Sequence, residues 1–334
     1  MKQTAVIIAP GRGTYNKAEL GYLTRHHAGW QPLADLDSAR AALGQETLTA
    51  LDGAEKFSGA RHTRGDMASP LIYACSMADY ASVQDQFDIL AVTGNSMGWY
   101  TALACADALD LMGGFEVVNT MGRLMQEQMI GGQLIYPIVD TDWVEIPGER
   151  GRILDFAAQV SARTDHTLAL SINLGGFLVM AGNEAGLAAF EAEMPRKQDR
   201  YPMRLPNHAG FHTALQEPVA ALGRSALSRK LFRQPALPLI DGRGAIWRPR
   251  ASDLGALYDY TLGHQVVRAY DYSAAIRTAA REFMPDVFVI LGPGTTLGGA
   301  TAQALVSANW RGLGTKTALQ ADVPRVINLG DKAG

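Results

Sequence analysis

Residues 87–110 read Phe87-Asp88-Ile89-Leu90-Ala91-Val92, then Thr93-Gly94-Asn95-Ser96-Met97-Gly98, then an Ala/Leu-rich run from Trp99 to Asp110. The first block is a short apolar run, which predicts a buried strand. The last predicts a helix. Between them lies a G-x-S-x-G pattern. Two glycines let a strand turn abruptly into a helix, which leaves Ser96 strained and exposed. The helix N-terminus behind it offers unpaired N–H groups and a positive dipole end. The amide of Met97 is then a natural oxyanion donor. A chain of this length holds roughly 0.1–0.2 such patterns by chance. The strand–turn–helix context is therefore what makes Ser96 a candidate nucleophile on an α/β-hydrolase-like elbow.

Working outward, Ala5–Ala9 predicts another buried strand, feeding the loop Pro10-Gly11-Arg12-Gly13. Residues 15–62 are mixed polar and helical. Helices are expected at 70–80, with Pro70 in the first turn, and at 115–129. After Gly131-Gly132 the texture changes. Strands are expected at 133–139 and 201–205, a hairpin at 167–173 and 177–181, and helices at 152–163 and 184–193. The order β-α-β-β-α-β is that of a ferredoxin-like split βαβ module. The expected organisation is a large parallel-sheet α/β domain over 1–129 and 205–334, interrupted by a ferredoxin-like subdomain over 130–204. The large domain resumes with a helix at 213–230 and strands at 237–240 and 287–290. A helix containing Gly298 and Gly299 follows. The tail from Asp322 is poorly patterned, with an edge strand expected at 326–329.

The 334 residues are 47% hydrophobic and 19% charged. That is an ordinary globular composition, and it excludes a disordered chain or a disulfide scaffold. The net charge of −3 disfavours nucleic acid as a partner. No window approaches the roughly 18 apolar residues of a membrane span, and the apolar start is too short for a signal peptide. The expectation is a cytoplasmic protein. Cys75 and Cys105 sit among apolar neighbours and read as core packing. No His/Cys cluster has metal-ligand spacing, so no metal is expected. The glycine loops at Gly11 and Gly292 lack the patterns of nucleotide-binding loops.

A serine nucleophile needs a base. His26 and His27 fall in a polar, solvated helix, and His166 follows Asp165 in a turn. His208 and His212 lie at a strand-to-helix junction that can present a side chain into a cleft. Either one is equally readable as a capping or core histidine, and the residues alone do not choose between them.

Six segments in register resemble the malonyl-CoA:acyl-carrier-protein transacylase family, which includes the acyltransferase domains of polyketide synthases. The family's P-G-Q-G is similar to Pro10-Gly11-Arg12-Gly13, and its G-H-S-x-G-E-Y to Gly94-Asn95-Ser96-Met97-Gly98-Trp99-Tyr100. Its M-R-G-x-x-M-Q is similar to Met121-Gly122-Arg123-Leu124-Met125-Gln126 with the preceding Thr120. Its N-x-N-S-P-x-Q-x-V-I-x-G is similar to the stretch from Ser171 to Gly182, with Asn173 at its third place. Its F-H-S-P-L-M is similar to Phe211-His212-Thr213-Ala214-Leu215-Gln216, and its E-x-G-P-G-x-x-L-x-G-L to the stretch from Ile290 to Ala300. The likeness covers residues 5–305.

The resemblance implies a double-displacement acyl transfer. Ser96 would attack a thioester with His212 as general base, and a second phosphopantetheine thiol would collect the acyl group. The amides of Arg12 and Met97 would form the oxyanion hole. Carbonyl groups, including that of a glutamine side chain, would orient the histidine. That glutamine's place in the family's Q-L-x-x-P-V falls on Thr261. No bound cofactor is implied. CoA and acyl carrier protein thioesters are substrates, and the carrier is the partner of a monomeric enzyme.

The departures bear on the substrate. The family arginine of M-R-G pairs bidentately with a malonyl carboxylate, and here its place holds Met121, which cannot. The expected acyl group is therefore neutral. Arg12, in place of the family glutamine, offers an alternative cation that would restore malonyl binding. Asn95, Trp99, Phe211 and Asn173 are expected in the substrate pocket. An acyl hydrolase on the same scaffold is a second reading. An unrelated esterase using Ser96, Asp241 and His264 is a third, and a silent carrier-binding module a fourth. Arg196, Lys197, Arg200 and Arg204, then Arg229, Lys230 and Arg233, form either a rim for an acidic carrier or an ordinary solvated face.

Overall fold

The computed structural model describes residues 2–322 and 325–331, so part of the tail lies outside the described residues. Eleven strands are found there: β1 Thr4–Ala9, β2 Asp88–Gly94, β3 Gly132–Pro137, β4 Leu168–Leu174, β5 Phe177–Gly182, β6 Met203–Arg204, β7 Leu239–Ile240, β8 Ile246–Trp247, β9 Tyr270–Asp271, β10 Val287–Ile290 and β11 Val326–Asn328. Six form one sheet in the order β11-β10-β1-β2-β7-β8, parallel except for the β7–β8 hairpin. Ala5 to Ala9 are wholly buried, as expected of a parallel strand covered on both faces. The fold is α/β.

The second sheet runs β6-β3-β5-β4-β9. Its first four strands, with helices Glu149–Ser161 and Glu184–Glu193, take the β-α-β-β-α-β order expected from the sequence. Alternation along the strands splits its side chains between two cores. Leu134, Tyr136, Leu178 and Met180 pack with Ile153 and Phe190 of the two helices. Ile172 and Val179 turn the other way and join the core of the large sheet. The fully buried Leu178 and Leu187 contribute about 2 kcal/mol each. The fifth strand, β9, comes from beyond residue 205 and pairs with β4 in parallel. It ties the two sheets together.

Several boundaries differ from the sequence expectation. The helix expected from Pro70 spans Gly65–Val83, with Pro70 inside it. Proline removes the donor that would bond the Asp66 carbonyl, and buried Arg40 supplies it instead, Nη1 to Asp66 O at 3.1 Å. The helix expected over 213–230 is a 3₁₀ turn at Ala214–Gln216 followed by Glu217–Ala226. Pro218 starts a fresh first turn, and Leu227 is extended. The helix expected at 115–129 spans Leu111–Gln128. It lies hard against Gly65–Val83, because a Cβ at Gly122 would come within 2.6 Å of the Gly65 carbonyl. Among the described residues no helix is long and apolar enough to cross a membrane.

Candidate active site

β2 ends at Gly94, and helix Gly98–Cys105 begins four residues later. Ser96 sits in the turn at φ 56°, the left-handed region that non-glycine residues adopt at a cost of about 1–3 kcal/mol. The turn is this tight because Gly98 abuts the end of β1. A Cβ there would lie 2.2 Å from the Ala9 carbonyl oxygen. Tyr270 O–H donates to the Gly94 carbonyl at 2.6 Å, and Gln265 Nε2 donates to the Ser96 carbonyl at 3.0 Å.

Ser96 Oγ lies 2.7 Å from His212 Nε2, and His212 Nδ1 lies 2.6 Å from the main-chain carbonyl of Gln265. A carbonyl only accepts, so Nδ1 carries the proton and Nε2 is free to accept from Ser96 O–H. His212 is itself at φ 57°. Its loop is pinned by Ser171 Oγ donating to the Phe211 carbonyl at 2.7 Å, and Gln133 Nε2 donates to Ser171 Oγ at 2.6 Å. The subdomain sheet thus fixes the imidazole.

Burial holds the His212 pKa down at about 4, offset in part by the Gln265 carbonyl. The neutral ring therefore persists well below the range of an ordinary histidine. The kcat/KM of any reaction using it as a base should rise through pH 4 and be flat from about pH 5 upward. At pH 5.5 an ordinary imidazole would retain about a tenth of full activity. A measured midpoint near 6.5 would contradict this.

The two residues open into a cavity of about 620 Å³. Asn95, Met97, Met121 and Phe211 line it, together with Arg12. The Met97 amide, just before helix Gly98–Cys105, has no hydrogen-bond partner among the described residues. Arg12 Nη2 donates to the carbonyls of Thr63 and Asn207 at 3.1 and 2.7 Å, and its guanidinium lies 5.3 Å over the Phe211 ring. Its Nη1 is buried without a partner. Burial lowers the Arg12 pKa to about 10, which still leaves a cation at neutral pH. Met121 is 1% exposed, and its Sδ lies 2.7 Å from where a Gly223 Cβ would stand. Arg123 faces away, paired with Glu127.

Three expected site residues are elsewhere. Thr261 does not orient His212, because its hydroxyl accepts from Trp99 Nε1 at 3.0 Å. Trp99 is consequently buried in the core, edge-on to Tyr260, and does not wall the cavity. Asn173 bridges Asp271 and Arg150 at 2.8 and 3.0 Å, joining β4 to β9. The residue missed was Gln265. Tyr260–His264 is a π-helical turn, and Gln265, the residue after it, supplies the carbonyl that meets His212. The only sequence signal for it was the Gln265-Val266 pair itself.

Of the two histidines left open, His212 meets Ser96. His208 instead places Nδ1 against the Pro206 carbonyl at 2.9 Å. His27 is not simply solvated, since its Nε2 lies 2.7 Å from Asp79 Oδ1. His264 is exposed and stacked on Tyr260, and Asp241 is taken up by Arg243 and Trp247. The esterase triad is not assembled. In the basic cluster, Lys197, Arg204, Arg229 and Arg233 are held by Glu149, Glu184 with Glu191, Asp259 and Asp107. Arg196, Arg200 and Lys230 have no carboxylate partner among the described residues, and Arg200 lies at the cavity mouth.

No family model matches the chain. Individual proteins do. The malonyl CoA-acyl carrier protein transacylase of Salmonella typhimurium is 23% identical over 330 residues, 96% of this chain and 99% of that one. The crystal structure of a malonyl-CoA:acyl carrier protein transacylase from Xanthomonas oryzae superposes at TM-score 0.73 with 19% identity, covering 91% of this chain and 92% of that one. One from Synechocystis superposes at 0.74 with 16% identity, covering 99% and 98%. These two share the fold. The full-length relative extends the likeness into the sequence, and the chain is similar over nearly its whole length to malonyl-CoA:acyl-carrier-protein transacylases.

Proposed function

We propose that the protein moves a neutral acyl group between CoA and acyl-carrier-protein thioesters through an acyl-Ser96 intermediate. The observation that carries this reading is the Ser96–His212–Gln265 array, with 2.7 and 2.6 Å contacts. Ser96 Oγ attacks the thioester carbon as its proton passes to His212 Nε2. The amides of Met97 and Arg12 receive the developing oxyanion. The tetrahedral adduct collapses, the C–S bond breaks, and the proton leaves on the departing thiol sulfur. The carrier's phosphopantetheine thiol then repeats these steps in reverse, giving its proton to His212 and releasing Ser96. The cation formed on His212 in each half-reaction is stabilised by the Gln265 carbonyl, with no carboxylate required.

The neutral acyl group follows from Met121. A buried carboxylate facing a thioether in place of a cation loses several kcal/mol. Docking of an acidic carrier is supported by the unpaired Arg200 at the mouth, with Arg196 nearby in sequence. The idle, buried Nη1 of Arg12 favours a second reading, in which that guanidinium binds the carboxylate of a malonyl group.

Intact-protein mass spectrometry after incubation with acetyl-, octanoyl- and malonyl-CoA separates these readings. The expected result is an adduct on Ser96 with a neutral donor, discharged by a carrier thiol, and little or no malonyl adduct. A malonyl adduct that disappears in Arg12→Gln establishes the second reading. Donor consumed with neither adduct nor transfer means a hydrolase.

A further inference from the structure

One row of apolar side chains runs across the cavity wall on the subdomain side, with Gln133, Leu174 and Arg204 beside it. Cα partners across the five-stranded sheet run Met203 on β6, Ile135 on β3, Val179 on β5, Ile172 on β4 and Tyr270 on β9. Residues paired across strands point to the same face. The first four line the cavity. The fifth holds its ring 5.4 Å from that of His212. The row therefore starts beside the imidazole and leads away from it. From β4 to β6 it spans about 14 Å at ordinary strand spacing.

The large domain adds Met121 and Met125 to the cavity, one helical turn apart and so on one face. None of these six lining side chains carries a charge or an N–H or O–H donor. Three are methionines, whose flexible thioethers mould to apolar ligands of varied shape. An acetyl group would use almost none of this surface, and a cation meets the row only at its far end, where Arg200 Nε lies 3.1 Å from Met203 Sδ.

We propose that the row from Ile172 to Met203 is an acyl-chain groove, and that the group carried on Ser96 is an apolar chain of medium length. The inference rests on the acyl-Ser96 reading. Each methylene laid on the row leaves water, which strengthens binding about fourfold. Val179, 2% exposed and mid-row, is the position at which added bulk shortens the groove.

The test measures kcat/KM for acyl-Ser96 formation by the full chain with acetyl-, butyryl-, hexanoyl- and octanoyl-CoA. The expected profile rises about fourfold per methylene, or about 4,000-fold over the six methylenes that separate acetyl from octanoyl. Val179→Trp should return octanoyl to the acetyl level while acetyl stays within about threefold of its original value. If that variant does not fold, Val179→Thr keeps the shape, adds a hydroxyl, and should cost octanoyl about tenfold with acetyl unchanged. A flat or falling chain-length profile overturns the proposal. So does an equal loss for every donor, which would make the row a wall for the shared pantetheine arm. Failure of every donor to form acyl-Ser96 would instead remove the underlying reading.

Discussion

Ser96→Ala is expected to lower acyl transfer by about 10⁶-fold, and His212→Ala by nearly as much. Alanine at 96 removes the only atom that forms the covalent bond. Alanine at 212 leaves a hydroxyl at Ser96 whose proton has nowhere to go. The 2.7 Å contact between Oγ and Nε2 makes the two groups one unit, so their losses should not add. The double variant should be no slower than Ser96→Ala. Single-turnover acylation, followed by mass, reads all three variants. A His212→Ala protein within tenfold of the original would mean that another base serves Ser96. His208 is the neighbour to examine then, and His208→Ala as a parallel variant should be nearly silent if the assignment to His212 is right.

The local chemistry around Ser96 was legible because it depends on backbone geometry. A strand that must become a helix in four residues needs glycine at Gly94 and Gly98, and those glycines are visible as letters. The order of the inserted module was legible for a similar reason, since periodicity switches cleanly between strands and helices there. What was not legible depends on which way a side chain points. Trp99 follows the nucleophile in sequence, yet it turns into the core to reach Thr261. Asn173 sits at a family-like place, yet it bridges two strands. The resemblance put the histidine's partner at Thr261. The carbonyl that meets His212 belongs instead to Gln265, just after a π-helical turn that leaves no mark in composition. The two-residue strands β6, β7, β8 and β9 were overlong or absent in the sequence reading, because strands so short have no period to detect.

Met121→Arg tests the substrate assignment with the next largest effect. In the resembling family a glutamine stands at the place of Arg12 and an arginine at the place of Met121. This chain has the cation on the other member of the pair. The two places are close. Arg12 Nη1 is 3.2 Å from where a Gly65 Cβ would stand, and that point is 2.7 Å from the carbonyl of Gly122, next to Met121. A second guanidinium added here would be buried, unpaired and beside a like charge. Met121→Arg alone is therefore expected to lose about 3 kcal/mol of stability. Malonyl-CoA supplies the missing anion, so the ratio of malonyl to neutral-acyl kcat/KM should rise about 10³-fold. Adding Arg12→Gln removes the repulsion, and the double variant should regain stability while keeping the malonyl preference. Thermal denaturation and competition between malonyl- and octanoyl-CoA read the two effects. If the ratio does not move in Met121→Arg but falls in Arg12→Gln, then Arg12 already binds a carboxylate and the neutral-acyl assignment is wrong. If the ratio rises as expected and Arg12→Gln alone leaves it unchanged, Arg12 serves the cavity as a tie between Thr63 and Asn207, and residue 121 selects the acyl group.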